Sequence, residues 1–176
     1  MKKIVLVPVM AIILSVGAFA GHPSGWGLGF MGQFSLAWEG FGAAGGGAIS
    51  LRAPHSPTYL GLSIARGGNG FGISLTGDNL VIDRTIDSGL NLGFYVGPGI
   101  YAGANIRNFN TDSDREVSLR AGLRLPIGIY IFPLDFLEVF FDIAPSLGVG
   151  LTLGDNFGFN FPDGGIGADI GFRLWF

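Results

Sequence analysis

Residues 164–176 read G-G-I-G-A-D-I-G-F-R-L-W-F, and their alternation decides the fold class. Ile166, Ala168, Ile170, Phe172, Leu174 and Phe176 share one parity. Gly165, Gly167, Asp169, Gly171, Arg173 and Trp175 share the other. A period of two kept over thirteen positions is a strand with one greasy face and one polar or tiny face.

The same pattern recurs along the chain. Over residues 26–38, Trp26, Leu28, Phe30, Phe34, Leu36 and Trp38 alternate with small or polar residues, and a tryptophan at each end suits the aromatic belts of a membrane strand. Further strands are predicted over 47–53, 58–66, 71–82, 88–107, 117–131 and 136–153. Near residues 77–79 the pattern slips to Leu80 and Ile82, which predicts a bulge. Gly97-Pro98-Gly99 resembles a hairpin turn, but a two-residue turn would reverse the parity. The even residues Leu92, Phe94, Val96, Ile100 and Ala102 stay on one face throughout, so one long, bent strand is predicted. Turns fall at Pro54-His55-Ser56-Pro57, at 84–87 and at Phe132-Pro133-Leu134-Asp135, with loops over 39–46, 67–70, 108–116 and 154–163.

Composition narrows the setting. Residues 1–20 combine Lys2 and Lys3, an apolar run over 4–16, and Ala18-Phe19-Ala20, the three parts of a cleaved secretory signal. The run is shorter than the ~20 apolar residues of a spanning helix and is interrupted by Pro8. The mature chain is therefore expected to be one domain over 21–176. It would carry eight arginines, no lysine and thirteen carboxylates, a net charge of −5. That balance argues against a nucleic-acid partner, which needs a clustered positive field. There is no cysteine, hence no disulfide and no lipid anchor on a cysteine. Residues are 48% hydrophobic, yet the apolar content is dispersed as alternation. Only helices and closed sheets satisfy backbone groups in lipid, and alternation selects the sheet.

The terminal strand with its final Phe176, the export signal and the overall layout resemble the small OmpA/OmpX/OmpW-type bacterial outer-membrane barrels. The resemblance covers the terminal strand and the layout, not a diagnostic loop motif. It implies an all-β fold, a closed antiparallel eight-stranded transmembrane β-barrel, with ten short strands as the alternative if the chain also turns at 77–79 and 97–99. It further implies that Phe172, Leu174 and Phe176 form the signal read by the barrel-insertion machinery, and that outer-membrane lipid surrounds the wall. An even strand count returns both termini to the periplasm and sends the four loops outside.

On this register the inward charges are Arg52, Arg107, Arg120, Arg124, Arg173, Glu138, Asp142 and Asp169. The interior of an eight-stranded barrel is just wide enough for side chains to fill, and charges buried there must pair. Arg124 and Asp142 lie at similar depth and are predicted to pair. The lumen is thus expected to be a salt-bridged plug, with a gate or narrow polar path as the competing reading.

Catalysis is not expected. Some small outer-membrane barrels are lipid A acyltransferases or deacylases, which need an external His and Ser. His22 lies beside the cleavage site, His55-Ser56 falls in a predicted periplasmic turn, and an H-x-S-N pattern is missing. No His/carboxylate cluster has metal-ligand spacing, and no cofactor is implied. Asp112 and Asp114 have nothing to fix a coordination shell around a cation. The stretch at 42–47 is Gly-rich but lacks a βαβ context for phosphate. Phe157, Phe159 and Phe161 either extend the aromatic belt or form an apolar patch for an extracellular ligand. The function expected is a structural or surface-interaction protein of the outer membrane. A narrow channel, or an OmpW-like route for small hydrophobic molecules, is the alternative. A soluble β-sandwich is disfavoured, since its surface would carry rows of Leu, Ile and Phe.

Overall fold

The computed structural model describes residues 22–37, 43–67, 70–87, 89, 91–107, 116–154 and 157–176. The predicted signal, Trp38 and the loop residues 108–115 lie outside them. All regular structure is strand: β1 (Gly27–Ala37), β2 (Ala43–Arg52), β3 (Thr58–Gly67), β4 (Gly70–Asn79), β5 (Ile82–Asp87), β6 (Leu92–Val96), β7 (Gly99–Arg107), β8 (Glu116–Arg124), β9 (Ile127–Leu134), β10 (Leu137–Leu153) and β11 (Gly158–Trp175).

These eleven segments build eight wall strands. β4 pairs with β7 while β5 pairs with β6, and β7 pairs with β8 while β6 pairs with β9. β8 and β9 both pair with β10, at opposite ends of it. Hence β4 and β5, β6 and β7, and β8 and β9 are halves of three long strands. Every pairing is antiparallel, and β11 closes the ring by pairing with both β10 and β1. The eight-strand expectation holds, and neither 77–79 nor 97–99 reverses the chain.

Closure carries a stagger. From Leu28 on β1 the register passes through Leu51, Leu60, Gly77, Ile100, Leu123 and Leu147 to Gly164 on β11. The direct partner of Leu28 is Leu174, ten residues further along the same strand. A closed sheet acquires such a shift only if its strands tilt against the barrel axis. The last residue completes the seam, because the Phe176 and Trp26 backbones exchange hydrogen bonds of 3.0 and 3.1 Å.

The breaks in the long strands share one line across the wall. Proline has no N–H to give to a ladder. The carbonyls of Pro57, Pro98, Pro126 and Pro145 accept from Leu80, Asn79, Gly97 and Leu125 respectively, at 2.9–3.3 Å. Each break therefore faces another break, and the cost of interrupting central strands is confined to one seam.

The parity reading places the faces as expected, with local differences, among them that the predicted turn at 84–87 is the end of strand β5, Ile82–Asp87. Leu80 turns inward and is buried while Ile82 faces out, so the slip falls just after Leu80. β2 begins four residues before the predicted start, at Ala43. Most of the predicted 154–163 loop is the upper end of β11, where the β10 register shifts between Gly148 and Gly150. The outer face is apolar all round: Leu28, Phe30, Leu62, Leu75, Ile100, Leu123, Ile129, Phe141 and Ile170 are each more than two-fifths exposed. The buried core is the lumen.

Candidate functional site

The lumen has two storeys. One lies toward the end that holds Trp26 and Phe176; the other opens toward the loops.

The termini storey is built on β10 and β11. Glu138 and Arg173 are direct cross-strand partners and form an ion pair, with Glu138 fully buried. The Arg173 Nε donates to Ser50 Oγ at 2.8 Å, reaching it across Gly29 of β1. Its guanidinium lies 3.8 Å from the Phe140 ring centre and 4.5 Å from that of Tyr59. The second Glu138 oxygen accepts from Trp175 Nε1 at 2.9 Å. A buried ion pair needs further hydrogen bonds to hold, and here both Glu138 oxygens accept while Arg173 also donates to Ser50.

His22 enters this network from the segment leading into β1. Its Nδ1 lies 2.6 Å from Asp83 and its Nε2 3.1 Å from Glu138. Carboxylates only accept, and neutral imidazole carries one N–H, so this geometry calls for the imidazolium. Burial by itself lowers the His22 pKa, but the Glu138 and Asp83 carboxylates outweigh it and hold it above its ordinary value. Tyr130 donates to the other Asp83 oxygen at 3.1 Å, and its ring centre lies 4.0 Å from that of His22. Arg52 ties the entering segment down, donating to the Pro23 carbonyl at 3.1 Å, to Tyr59 Oη at 3.0 Å and to the Ser56 carbonyl at 2.6 Å.

Glycines make room for the rings. Tyr130 lies over its cross-strand partner Gly93, and Tyr95 over Gly128. A Cβ at either glycine would fall inside the facing ring's van der Waals shell. The tyrosines thus fill the space that the glycines vacate.

Between the storeys, Asp142 and Asp169 stand directly opposite each other on β10 and β11. Like charges so placed repel, and Arg124 resolves the conflict. Its Nη2 lies 2.9 Å from Asp169 and 3.8 Å from Asp142, and its Nε 3.2 Å from Asp78. Tyr95 donates to the second Asp142 oxygen at 2.6 Å.

Above this floor the loop storey is open. A cavity of about 250 Å3 is lined by Gln33, Ser74, Tyr101, Arg120, Arg124 and Asp169 among others. A second, of about 340 Å3, lies at the rim around Arg107, Glu116, Arg120, Asn160 and Asp163. Arg107 pairs with Glu116 at 3.4 Å.

Of the residues expected in the lumen, Arg52, Arg124, Arg173, Glu138, Asp142 and Asp169 come together as described. Arg120 faces the open chamber. Arg107 stands at the rim with its side chain 63% exposed, outside the buried network. The Arg124–Asp142 contact exists but is the longest of the three that Arg124 makes. Phe157, Phe159 and Phe161 are exposed, and Phe159 pairs with Leu151 on the outer wall. Phe172 and Phe176 are also exposed, while Leu174 is half-buried. Sequence reading missed His22, Asp78, Asp83 and the tyrosines. A signal for the last existed: all four tyrosines, Tyr59, Tyr95, Tyr101 and Tyr130, sit on the inward parity. Among the described residues no group of three or more His, Asp or Glu is arranged to hold a metal ion.

Residues 61–172 match the model of a family described as "Protein of unknown function (DUF3996)". The chain belongs to the DUF3996 family. The match runs from β3 to β11 and takes in Asp78, Asp83, Arg120, Arg124, Glu138, Asp142 and Asp169, while His22, Arg52 and Arg173 fall outside it. No curated protein matches this DUF3996 chain. Among solved structures it is similar to the N-terminal β-barrel domain of Pseudomonas aeruginosa OprF, at 15% identity and a TM-score of 0.45 over 82% of this chain and 96% of that one. The closed eight-strand ring of the DUF3996 chain stands on its own register.

Proposed function

We propose that this protein is an integral barrel of the bacterial outer membrane with a closed lumen, acting as a structural or surface-interaction protein and not as a conduit. The outer face supports the membrane setting, since rows of exposed Leu, Ile, Val and Phe circle a wall that β11 closes by pairing with both β10 and β1. The expected signal over residues 1–20 supports export, and the terminal Phe172, Leu174 and Phe176 support recognition by the insertion machinery. In this reading the termini end faces the periplasm and the loop end faces outside.

The observation that carries the closed lumen is the buried chain Arg173–Glu138–His22–Asp83–Tyr130. It links β11, β10, the N-terminal segment, β5 and β9 across the bore. Solutes would have to break several charge-assisted hydrogen bonds to pass. A non-catalytic role for the termini storey is supported by its His22, both of whose nitrogens face carboxylates, and by Ser50, whose hydroxyl accepts from Arg173.

The test is electrical. Protein shown to be folded by a heat-dependent change in gel migration should give no discrete current steps in a planar bilayer. Reproducible steps would overturn the closed-lumen reading in favour of a narrow channel.

A further inference from the structure

The loop storey contains polar groups left over after all its ion pairs are made. Arg124 is spent on Asp78, Asp142 and Asp169, and Arg107 on Glu116. That leaves Arg120, which lines both cavities and has no ion-pair partner among the described residues. Asp163 Oδ2 and Tyr101 Oη are shielded from solvent and have no hydrogen-bond partner among the described residues. Orphaned buried acceptors and hydroxyls are uncommon in folded proteins and call for an explanation.

Tyr101 lines the inner cavity, Asp163 the rim cavity and Arg120 both, around a patch of inner wall that carries no side chains. Gly103 and Gly150 flank Arg120 on the neighbouring strands, and Gly148 stands opposite Asp163. A Cβ at Gly150 would lie 3.5 Å from the Asp163 carboxyl carbon, one at Gly103 3.6 Å from Arg120 Cγ, and one at Gly148 2.6 Å from Tyr101 Oη. Glycine at these positions keeps the chamber open beside the three unpaired groups.

We infer that this chamber binds a small zwitterion, a molecule of free amino-acid size carrying one carboxylate and one ammonium group. The Arg120 guanidinium presents a planar fork of donors that matches a carboxylate. Asp163 accepts from the ammonium, and the Tyr101 hydroxyl serves either group. A simple anion would leave Asp163 unpaired and repelled beside it, and a simple cation would face Arg120. A zwitterion answers both charges at once. Its size is limited, because Tyr101 faces the inner cavity of about 250 Å3 and Asp163 the rim cavity of about 340 Å3, at the low end of the ~300–1,000 Å3 of sites for drug-sized ligands. The inference rests on the orientation proposed above, in which this end faces outside.

Calorimetric titration of the detergent-purified protein tests it, with L-alanine, propionate and ethylamine as probes. L-Alanine is expected to bind, and propionate and ethylamine at least tenfold more weakly. Arg120→Ala and Asp163→Asn should each weaken L-alanine by about tenfold or more. Both variants should fold, since neither residue belongs to the buried network, and heat-dependent migration on the same samples checks this. Equal binding of propionate, or an Asp163→Asn variant that binds L-alanine unchanged, overturns the zwitterion assignment. No heat from any probe with a folded barrel overturns the site but leaves the closed barrel standing. A sample without heat-dependent migration sinks both.

Discussion

Glu138 and Asp142 lie four residues apart on β10, and both point into the lumen. Their removal has unequal consequences, because one has no substitute and the other has two. Glu138 is the carboxylate partner of Arg173, and it also faces His22 and Trp175. Glu138→Gln leaves a buried guanidinium without its counter-charge, an error of about 3–5 kcal/mol. Asp142 shares Arg124 with Asp169 and Asp78 and stands opposite the like-charged Asp169. Asp142→Asn keeps an acceptor for Tyr95 and relieves that repulsion, so its unfolding free energy from urea titration in detergent should stay within about 0.5 kcal/mol of the parent. Equal losses in the two variants would refute this partition. His22 adds a pH dependence. Its folded pKa is raised above 6.5, so its contribution is fully present below pH 6.5 and disappears as pH climbs through the folded value. Urea midpoints should therefore fall on the alkaline side of pH 6.5, and His22→Gln should flatten that fall. Parity made most of the lumen charges legible, since a period of two assigns every side chain a face. His22 was illegible, because it belongs to no strand and the contacts that capture it come from β5 and β10, 61 and 116 residues away.

At the scale of the element, the strands could be read because each has one face in lipid, where a slip of one residue would expose the polar face. What could not be read was the shared seam of breaks. The slip after Leu80 and the bend at Pro98 showed as local irregularities, but their alignment with Pro126 and Pro145 exists only once register is fixed. Pro133 and Asp135 predict a turn over 132–135, whereas β9 continues to Leu134. Proline at the end of a strand costs less than elsewhere in it, so it marks the boundary loosely. The upper part of β11 is not legible as strand, because its bulge disrupts the alternation. Glycines along the strands are also unequal, in a way only packing reveals. A Cβ on Gly29 would sit 1.9 Å from the Phe172 carbonyl oxygen and 2.8 Å from Arg173 Cγ, whereas one on Gly47 meets nothing within 4 Å. Gly29→Val should cost about 3 kcal/mol or more, displacing Arg173 from Ser50. Gly47→Ala should be neutral or slightly stabilising. The fraction of refolded protein that shows heat-dependent migration reads both, and similar yields from the two variants would contradict the packing argument.

For the whole molecule, the two storeys separate closure from exposure. The termini storey spends its charges on itself, with His22, Arg52 and Arg173 engaged among Asp83, Glu138 and backbone carbonyls and packed between Tyr59, Tyr130 and Trp175. The loop storey keeps an open chamber. If closure resides in the lower storey, opening the bore requires removing its bulk together with its bonds. A single polar substitution would leave the rings of Tyr130 and Trp175 in place. A triple variant, His22→Ala with Tyr130→Ala and Trp175→Ala, removes the imidazolium bridge and the two rings beside it, while Glu138 keeps Arg173. It should show discrete current steps in a planar bilayer, whereas Arg120→Ala in the chamber above should stay silent like the parent. Silence from a triple variant that still shows heat-dependent migration would move the barrier up to the Arg124–Asp169–Asp78 floor. That floor could then be tested alone, because Arg124→Ala leaves the lower network untouched.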